Sequence, residues 1–274
     1  MRKFFILFVA AMMASTVSAQ AQKDILLDDE SAYFDSEEMP NAVIWLPAPP
    51  DTNATQFVYD ITQYMWGKAQ RLDSARRQQA IDNAVYEIAD MIEQFSVPFG
   101  MEISKEKTPA IYHVVSRGVI TARLSATKPK AEYMRKRPYA RFNEPTLVPE
   151  EEEELRTNGS YPSGHTVRGW AMALLLCEIN PEAQDDILEL GYQWGQSRVI
   201  AGYHWQSDVD AARMLAAASY ARLHTSAEFL ADMAAARAEY AALLKSSARI
   251  IRIDGTPVPN TSRSVVIEGK KQIN

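Results

Sequence analysis

The stretch HTVRGWAMALLLCEI, residues 165–179, opens a succession of helical segments that decides the fold class. Segments with a helical spacing of apolar residues follow over roughly 183–203, 207–224 and 226–246. Pairs of turn-forming or helix-breaking residues separate these segments: Asn180-Pro181, Trp205-Gln206 and Thr225-Ser226. Alternating strand patterns are confined to two short candidates in the tail, residues 249–252 and 264–267. The chain is therefore predicted to be all-α, with a single compact helical domain.

Helical patterns also precede this stretch. Thr108 followed by Pro109 is typical of a helix start, since proline is tolerated at the first helical position. Residues 128–162 are rich in proline and predict a short helix followed by a long loop, in which the acidic run Glu150–Glu154 is expected to be a solvated surface. Two earlier helices, the second capped by Asp73, are predicted from apolar residues at helical spacing: Phe57, Ile61, Tyr64 and Met65 in one, and Ala80, Ile81, Ala84, Val85, Ile88, Met91 and Ile92 in the other.

The composition is that of a mildly acidic globular protein. With 274 residues, 47% hydrophobic residues and a net charge of −6, the chain is long enough for one sizeable core. It lacks the overall basicity that would favour nucleic-acid binding. The single cysteine, Cys177, excludes an intrachain disulfide and is expected to be a small buried hydrophobic residue.

The N-terminus has the pattern of a secretory signal peptide. Arg2 and Lys3 precede the apolar stretch from Phe4 to Met13, and Val17-Ser18-Ala19 fits a cleavage site. The apolar stretch is shorter than the ~20 residues that a spanning helix needs, so we expect no stable membrane insertion after signal cleavage and a periplasmic or secreted protein. The expected division is a cleaved signal peptide (1–19), an N-terminal arm (20–44), a helical domain (45–246) and a C-terminal tail without an assigned role (247–274).

A histidine and a carboxylate stand four residues apart at His204 and Asp208. If one helix runs through both, they share a face, and the carboxylate accepts a hydrogen bond from one ring nitrogen. The other nitrogen is then unprotonated and available as a nucleophile or ligand. Such pairs are more often structural contacts, so this pair alone does not establish catalysis.

A candidate anion site lies where a loop enters the helix of residues 165–179. The free N–H groups and the positive end of the helix dipole favour an anion at such a position. Gly164 permits close approach, Ser163 can cap the helix or donate, and His165 adds a titratable donor. For this segment alone, an ordinary helix start with a serine cap is an equally good explanation.

Three cations are candidates to bind a phosphoryl group: Lys130, Arg137 and Arg198. A phosphoryl group in transit carries charge on three oxygens, and fixed cations are its main stabiliser. Arginine suits it because its planar fork binds two oxygens at once. Taken singly, each of these residues is more readily explained as a surface charge.

Taken together, the order and spacing of these candidate residues resemble the three-part signature of the phosphatidic acid phosphatase type 2 superfamily, which also contains the vanadium haloperoxidases. Within that superfamily, residues 159–166 and 195–208 look like the class A bacterial non-specific acid phosphatases. The resemblance spans roughly residues 45–245. The matching residues, in chain order, are Lys130, Arg137-Pro138, Pro162-Ser163-Gly164-His165, Ser197-Arg198, His204 and Asp208.

The resemblance implies a fold of the acid phosphatase and vanadium haloperoxidase type and a metal-independent phosphatase of small phosphate monoesters that needs no cofactor. It implies that His204 attacks phosphorus to form a phosphohistidine, that Asp208 orients His204, and that His165 protonates the leaving oxygen. Because His204 must start neutral and His165 protonated, we expect an activity maximum on the acid side of neutral. The implied phosphate-binding residues are Lys130, Arg137, Ser163, Gly164 and Arg198.

Other functions are compatible with the same residues. The main alternative is a vanadate-dependent haloperoxidase, which would hold vanadate in the same cage with His204 as its ligand. A lipid phosphate phosphatase is disfavoured by the lack of membrane spans, and an exported phosphate-binding protein would not need an oriented imidazole. Phosphoryl transfer to alcohols is compatible with a phosphoenzyme, and the relatives suggest a homo-oligomer. His113 and His224 lie outside the signature: His113 is expected to be structural, and His224 is expected to complement a helix C-terminus.

Overall fold

The computed structural model describes residues 31–248, and all of their regular structure is helical, which confirms the predicted all-α fold. Two short 3₁₀ helices, Pro149–Glu151 and Pro181–Ala183, accompany the α-helices. In this part of the chain the α-helices are α1 (Ala42–Trp45), α2 (Gln56–Gln70), α3 (Ser74–Asp82), α4 (Ile88–Phe99), α5 (Pro109–Leu124), α6 (Thr127–Tyr133), α7 (Pro138–Phe142), α8 (Glu152–Arg156), α9 (Gly164–Ile179), α10 (Gln184–Ala201), α11 (Gln206–Leu223) and α12 (Ala227–Ala248).

Helices α5 and α9 form the centre of the fold. α9 packs against α5, α10 and α11, and α5 also packs against α11 and α12. Apolar residues on nearly every side of α5 and α9 are buried, as expected for helices surrounded by other helices. Each such Val, Leu or Ile contributes roughly 1.5–3 kcal/mol on burial. The packing of α5, α10 and α11 around α9 thus holds the start of α9 in place.

The last four helices agree with the sequence prediction to within a few residues. α9 ends before Asn180, α10 ends at Gly202 in the left-handed conformation, and α11 begins after Trp205. These boundaries depend on local backbone preferences, because glycine adopts a positive φ without steric cost and proline disfavours a helical residue before it. The sequence alone therefore locates them.

The predicted apolar face of α2 is only partly correct. Phe57 and Tyr64 are buried, but Ile61 and Met65 lie at the surface, and Asp60 and Gly67 are buried instead. A Cβ at Gly67 would lie 3.0 Å from a carbonyl oxygen of α10, so the glycine permits close helix packing, while Asp60 is held by polar partners described below. Neither requirement is visible in hydrophobic spacing.

The single long helix predicted from Asp73 to Ile92 is two helices, α3 and α4, joined by residues 83–87. Asp73 does cap α3, with its carboxylate accepting from the amides of Ala75 and Arg76. The break follows from distant partners. The carbonyl of Val85 lies 2.8 Å from a nitrogen of His165, and the carbonyl of Tyr86 accepts from Arg168, so these groups are bonded to α9 rather than within a helix.

Residues 128–162 form several short helices rather than the predicted single helix and long loop. They are α6, α7, the 3₁₀ turn Pro149–Glu151 and α8. The acidic run was expected to be a solvated surface, which is wrong for two of its members. Glu152 accepts the Thr146 amide at 2.7 Å, and Glu151 reaches Arg198. Glu153, with its side chain 97% exposed, does fit the expectation.

The chain before α2 packs on the helical body. The ring of Tyr33 meets that of Phe229 edge to face, with centroids 5.4 Å apart, and the Arg117 guanidinium lies 3.9 Å from the Tyr33 centroid. No helix within residues 31–248 has the length and apolarity to span a membrane. The predicted signal peptide and the two candidate strands in the tail lie outside the described residues.

Cys177 and the two histidines outside the signature lie between helices. Cys177 is half-buried rather than fully buried, and its Sγ lies 3.7 Å from the Gln184 carbonyl. His113 Nε2 lies 3.3 Å from a carboxylate oxygen of Asp232, between α5 and α12. His224 Nε2 lies 3.1 Å from a carboxylate oxygen of Glu178, between α11 and α9. Both histidines thus link helices of the scaffold.

Candidate active site

His204 lies in the tight connection between α10 and α11. Gly202 ends α10 with a φ of +89°, a conformation that glycine adopts readily. The amides of Tyr203 and His204 both donate to the Arg198 carbonyl, at 3.0 and 3.3 Å. This turn holds the backbone of His204 against the last turn of α10, which also carries Arg198.

His204 and Asp208 are in contact, although no single helix runs through both residues. His204 precedes α11, whereas Asp208 lies in its first turn. His204 Nδ1 lies 3.2 Å from Asp208 Oδ2, which also accepts the Trp205 amide at 2.9 Å. The carboxylate therefore acts as a helix cap, and the start of α11 fixes its position relative to the ring.

The other nitrogen of the His204 ring faces Arg137. Arg137 Nη1 lies 3.0 Å from His204 Nε2 and donates to the Tyr203 carbonyl at 3.3 Å. Its Nε donates to the Leu155 carbonyl at 3.0 Å, so the guanidinium is held from two sides. With Nδ1 donating to Asp208, Nε2 of neutral His204 carries the lone pair.

Arg198 is fully buried, with an exposed fraction of 1%. Its Nη2 lies 3.7 Å from a Glu151 carboxylate oxygen, and its guanidinium carbon lies 4.2 Å from the centroid of the Tyr203 ring. Its Nε and Nη1 have no hydrogen-bond partner within residues 31–248. Buried donors are almost always paired, so two unpaired donors on one buried cation indicate a binding site for an anion.

Lys130 is a third cation of this site. It lies near the end of α6, is buried, and donates from Nζ to the Gly159 carbonyl at 2.6 Å. This bond ties α6 to the segment that leads into α9. Burial is the largest cause of the lowered pKa of His204, and the positive charge of Lys130 lowers that pKa further.

Ser163 and Gly164 form the start of α9. Ser163 Oγ accepts from the amide and the hydroxyl of Thr166, at 3.3 and 2.9 Å, so the hydroxyl proton of Ser163 can be donated elsewhere. The Ser163 amide donates to the Asp208 carbonyl at 3.0 Å, which connects α9 directly to α11. A Cβ at Gly164 would lie 2.7 Å from Arg123 Nε, so a side chain at this position would displace the guanidinium.

His165 projects from the first turn of α9 towards the connection between α3 and α4. Its Nε2 lies 2.8 Å from the Val85 carbonyl, and the Tyr86 ring lies 5.9 Å away between centroids, tilted by 50°. No pattern in the sequence indicated that Val85 and Tyr86 lie beside His165, because their approach depends on the break between α3 and α4. Residues 83–87 thus form a wall beside His165.

Burial lowers the pKa of both histidines well below the ordinary value. For His204 the positive charge of Arg137 adds to burial, and for His165 that of Arg198 does so. Burial also lowers the pKa of Arg137 to about 10. Both imidazoles are therefore neutral in the free protein at neutral pH, whereas an anion bound among the cations would favour their protonation.

The structure brings all eight predicted site residues into one region, at the start of α9 and the junction of α10 and α11. It adds three charged residues that the sequence analysis did not select. Arg135 contacts Asp208 directly, Asp60 contacts Arg135, and Glu151 contacts Arg198. Their positions in the chain carry no local signal. In the described part of the chain, no group of three or more His, Cys, Asp and Glu residues is arranged to hold a metal ion.

Comparison with known proteins identifies the family. The model of the PAP2 superfamily matches residues 110–230. The chain is 38% identical over 249 residues to the non-specific acid phosphatase of Providencia stuartii, which covers 89% of this chain and 100% of that protein. It is 36% identical over 238 residues to the non-specific acid phosphatase of Salmonella typhimurium (86% and 92%) and 31% identical over 232 residues to the acid phosphatase of Zymomonas mobilis (84% and 85%). The chain therefore belongs to the PAP2 superfamily and, within it, to the class A bacterial non-specific acid phosphatases.

Proposed function

We propose that this protein hydrolyses a broad range of phosphate monoesters through a phosphohistidine formed on His204. The observation that carries the proposal is the buried Arg198, which has two unpaired donors beside an imidazole whose Nε2 lone pair faces a second arginine. A binding site alone needs cations and amides, but not a histidine held by a carboxylate. The names of the related acid phosphatases support the same reaction.

In the first step, the phosphate group of the ester binds among the side chains of Lys130, Arg137 and Arg198 and near the amide of Gly164. His204 Nε2 attacks phosphorus, the bond from phosphorus to the ester oxygen breaks, and a proton passes to that oxygen from protonated His165. Because His165 Nε2 is bonded to the Val85 carbonyl, we assign this proton transfer to Nδ1. The imidazole of His204 becomes a phosphoimidazolium, whose charge Asp208 stabilises.

In the second step, water attacks the phosphohistidine. His165, now neutral, removes a proton from that water, the bond between phosphorus and His204 Nε2 breaks, and inorganic phosphate leaves. The Ser163 hydroxyl and the cations hold the phosphate oxygens in both steps, so the cage stabilises the charge that develops on them. An alcohol in place of water would give phosphotransferase activity, which we include in the proposal.

The test is to trap the intermediate. The mature protein is mixed with p-nitrophenyl [³²P]phosphate and quenched in alkali, in which a phosphohistidine persists, and the label is mapped by peptide analysis. We expect label on His204, no label in His204→Ala, and ordinary labelling in the control His224→Gln, whose histidine links α11 to α9 away from the cage. Full hydrolysis by His204→Ala would refute the assignment.

A substrate panel tests the reaction class. We expect hydrolysis of several unrelated monoesters, insensitivity to a chelator, and strong inhibition by vanadate. Bromide oxidation by the vanadate-loaded protein without any phosphatase activity would instead support the haloperoxidase.

We further propose that the mature protein is periplasmic or secreted and forms a homo-oligomer. Export rests on the signal-peptide pattern before residue 20, and the homo-oligomer rests on family resemblance. N-terminal sequencing of the protein from a periplasmic or culture fraction tests cleavage after Ala19. Light scattering on that fraction measures the oligomeric mass, and a monomer would contradict the second part.

A further inference from the structure

A buried charge network lies behind Asp208, on the side away from His204. Arg135 Nη1 donates to Asp208 Oδ1 at 2.5 Å, and Arg135 Nη2 donates to Asp60 Oδ2 at 2.6 Å. Both carboxylates have an exposed fraction of 0%, and the arginine side chain is 9% exposed. One guanidinium thus bridges two fully buried carboxylates, which belong to α2 and α11.

Ser207 completes the network. Asp60 accepts the Ser207 amide at 2.8 Å and the Ser207 hydroxyl at 2.6 Å, and that hydroxyl accepts from Arg135 at 2.8 Å. The first turn of α11 is therefore held by Asp60 through its backbone and by Arg135 through Asp208. Every contact fixes the orientation of the turn that carries the Asp208 carboxylate.

The hydrogen bonds to the two oxygens of Asp208 show how the network fixes this carboxylate. Oδ1 is occupied by Arg135, while Oδ2 accepts the Trp205 amide and His204 Nδ1. The carboxylate cannot rotate without breaking a charge-assisted bond to Arg135, which is among the stronger hydrogen bonds in proteins. Burying such ion groups is costly, and apolar residues of similar size often give equal or better stability. Stability alone is therefore a poor explanation for the network.

We propose that Arg135 is a positioning residue of the phosphatase, which holds the Asp208 carboxylate towards His204, and that Asp60 tunes this action by sharing the charge of Arg135. The inference rests on the proposed function, since it assigns Arg135 and Asp60 to the support of the nucleophile. Arg135 and Asp60 act on the site through Asp208 and Ser207, in the first turn of α11.

The two charges of the network act on His204 with opposite sign. Arg135 disfavours protonated His204, both directly and by withdrawing charge from Asp208, whereas Asp60 favours it. Burial lowers the pKa of Arg135, but the attraction of Asp208 and Asp60 outweighs it, so Arg135 stays charged. The other charged or titratable groups that face His204 stay the same in all the variants below: Asp208 of α11, Arg137 before α7, Lys130 of α6, Arg198 of α10 and His165 of α9.

The test compares Arg135→Lys, Arg135→Gln and Asp60→Asn with wild type and with Lys136→Ala, which removes a neighbouring exposed cation. Arg135→Lys keeps the charge but loses the two-pronged bridge. In the Arg135 and Asp60 variants we expect kcat to fall about 10–100-fold, as for other residues that orient a catalytic group, while KM stays within about threefold of the wild-type value. The inhibition constant of phosphate should equal the wild-type value in all variants. Thermal unfolding shows which of the variants fold.

The pH dependence separates positioning from a merely structural role. The acid limb of kcat/KM, which requires neutral His204, should move to higher pH in Arg135→Gln and to lower pH in Asp60→Asn, and stay in place in Lys136→Ala. A fall in stability and kcat without these opposite shifts would overturn the proposal, and Asp60→Asn still tests it if Arg135→Gln does not fold.

A direct titration keeps this inference separate from the proposed function. NMR of ¹³Cε1-labelled histidine follows protonation of His204 in each variant without turnover. If wild type forms no phosphohistidine, the proposed function fails, while the titration still reports the network. If wild type forms it but the His204 titration has the same midpoint in every variant, only the role of Arg135 and Asp60 is refuted.

Discussion

Replacing Arg198 by methionine is expected to lower the activity strongly and yet stabilise the ligand-free protein. Arg198 is fully buried, and its Nε and Nη1 lack partners within residues 31–248. Each buried unsatisfied donor costs about 1–3 kcal/mol, so removing both relieves roughly 2–6 kcal/mol. Methionine has a similar length and no polar group, which makes it the least disruptive apolar replacement.

Two favourable contacts are lost in the same substitution. The pair with Glu151 at 3.7 Å involves a carboxylate that is 33% exposed. Such a pair contributes about 0–1 kcal/mol. The contact of the guanidinium with the Tyr203 ring, at 4.2 Å, is desolvated. It contributes up to about 2 kcal/mol. The balance predicts that Arg198→Met raises the free energy of unfolding by about 2 kcal/mol, as expected where binding residues are kept at the expense of stability.

Urea unfolding with and without phosphate, together with p-nitrophenyl phosphate hydrolysis, measures this effect. We expect a higher unfolding midpoint at unchanged m-value and a fall in kcat/KM of about 10²–10³-fold or more. Phosphate at 100 times its Kd should stabilise wild type by about 2.7 kcal/mol and the variant far less. The exposed Arg141→Met serves as control and should change stability by less than about 0.5 kcal/mol. A destabilisation of Arg198→Met without phosphate, at unchanged m-value, would refute the reasoning.

Three further results are expected. Gly202→Ala should lose about 1–2 kcal/mol from its positive φ. It should also lose activity, because its Cβ would lie 2.9 Å from Arg71 Nη2. The control Gly100→Ala, at φ +87° in open space, measures the cost of the backbone conformation alone. An equal loss of activity in both variants would contradict this. The pKa of His204 is lowered in the fold, so the unfolded chain takes up the proton first and stability falls as pH drops below about 6.5. In His204→Asn the free energy of unfolding should depend on pH less steeply, by about 1.4 kcal/mol per pH unit. Denaturation at several pH values measures this, and parallel plots of unfolding free energy against pH for the two proteins would contradict it. Activity should peak on the acid side of neutral, because His204 remains neutral there and bound phosphate favours protonated His165; a maximum above about pH 8 in a pH–rate profile would contradict both roles.

The predicted fold follows from features that are local in the sequence. The helices after residue 163 were located from caps, breakers and apolar spacing, because a helix boundary depends on the backbone preferences of a few neighbouring residues. The same reasoning failed between Asp73 and Ile92. There the helix breaks because backbone carbonyls bond to His165 and Arg168, about 80 residues further along the chain.

The eight site residues could be selected because their order and spacing match a family signature, not because any one of them is distinctive. Their geometry was less accessible. A shared helical face for His204 and Asp208 would need one helix through both residues, but Gly202 ends one helix and the next begins only after Trp205. Sequence spacing gives the separation of two residues along the chain, and the backbone path between them decides how they meet.

The sequence by itself determined the helical class, which depends on local pattern, and it indicated the eight candidate site residues through their joint order and spacing. Only the tertiary structure decided what surrounds the His204 imidazole. Asp60 contacts Ser207 across 147 residues of chain and Arg135 across 75. The electrostatic environment of a buried imidazole is the sum of charges brought together by packing, and such charges leave no periodic or local signal in the sequence.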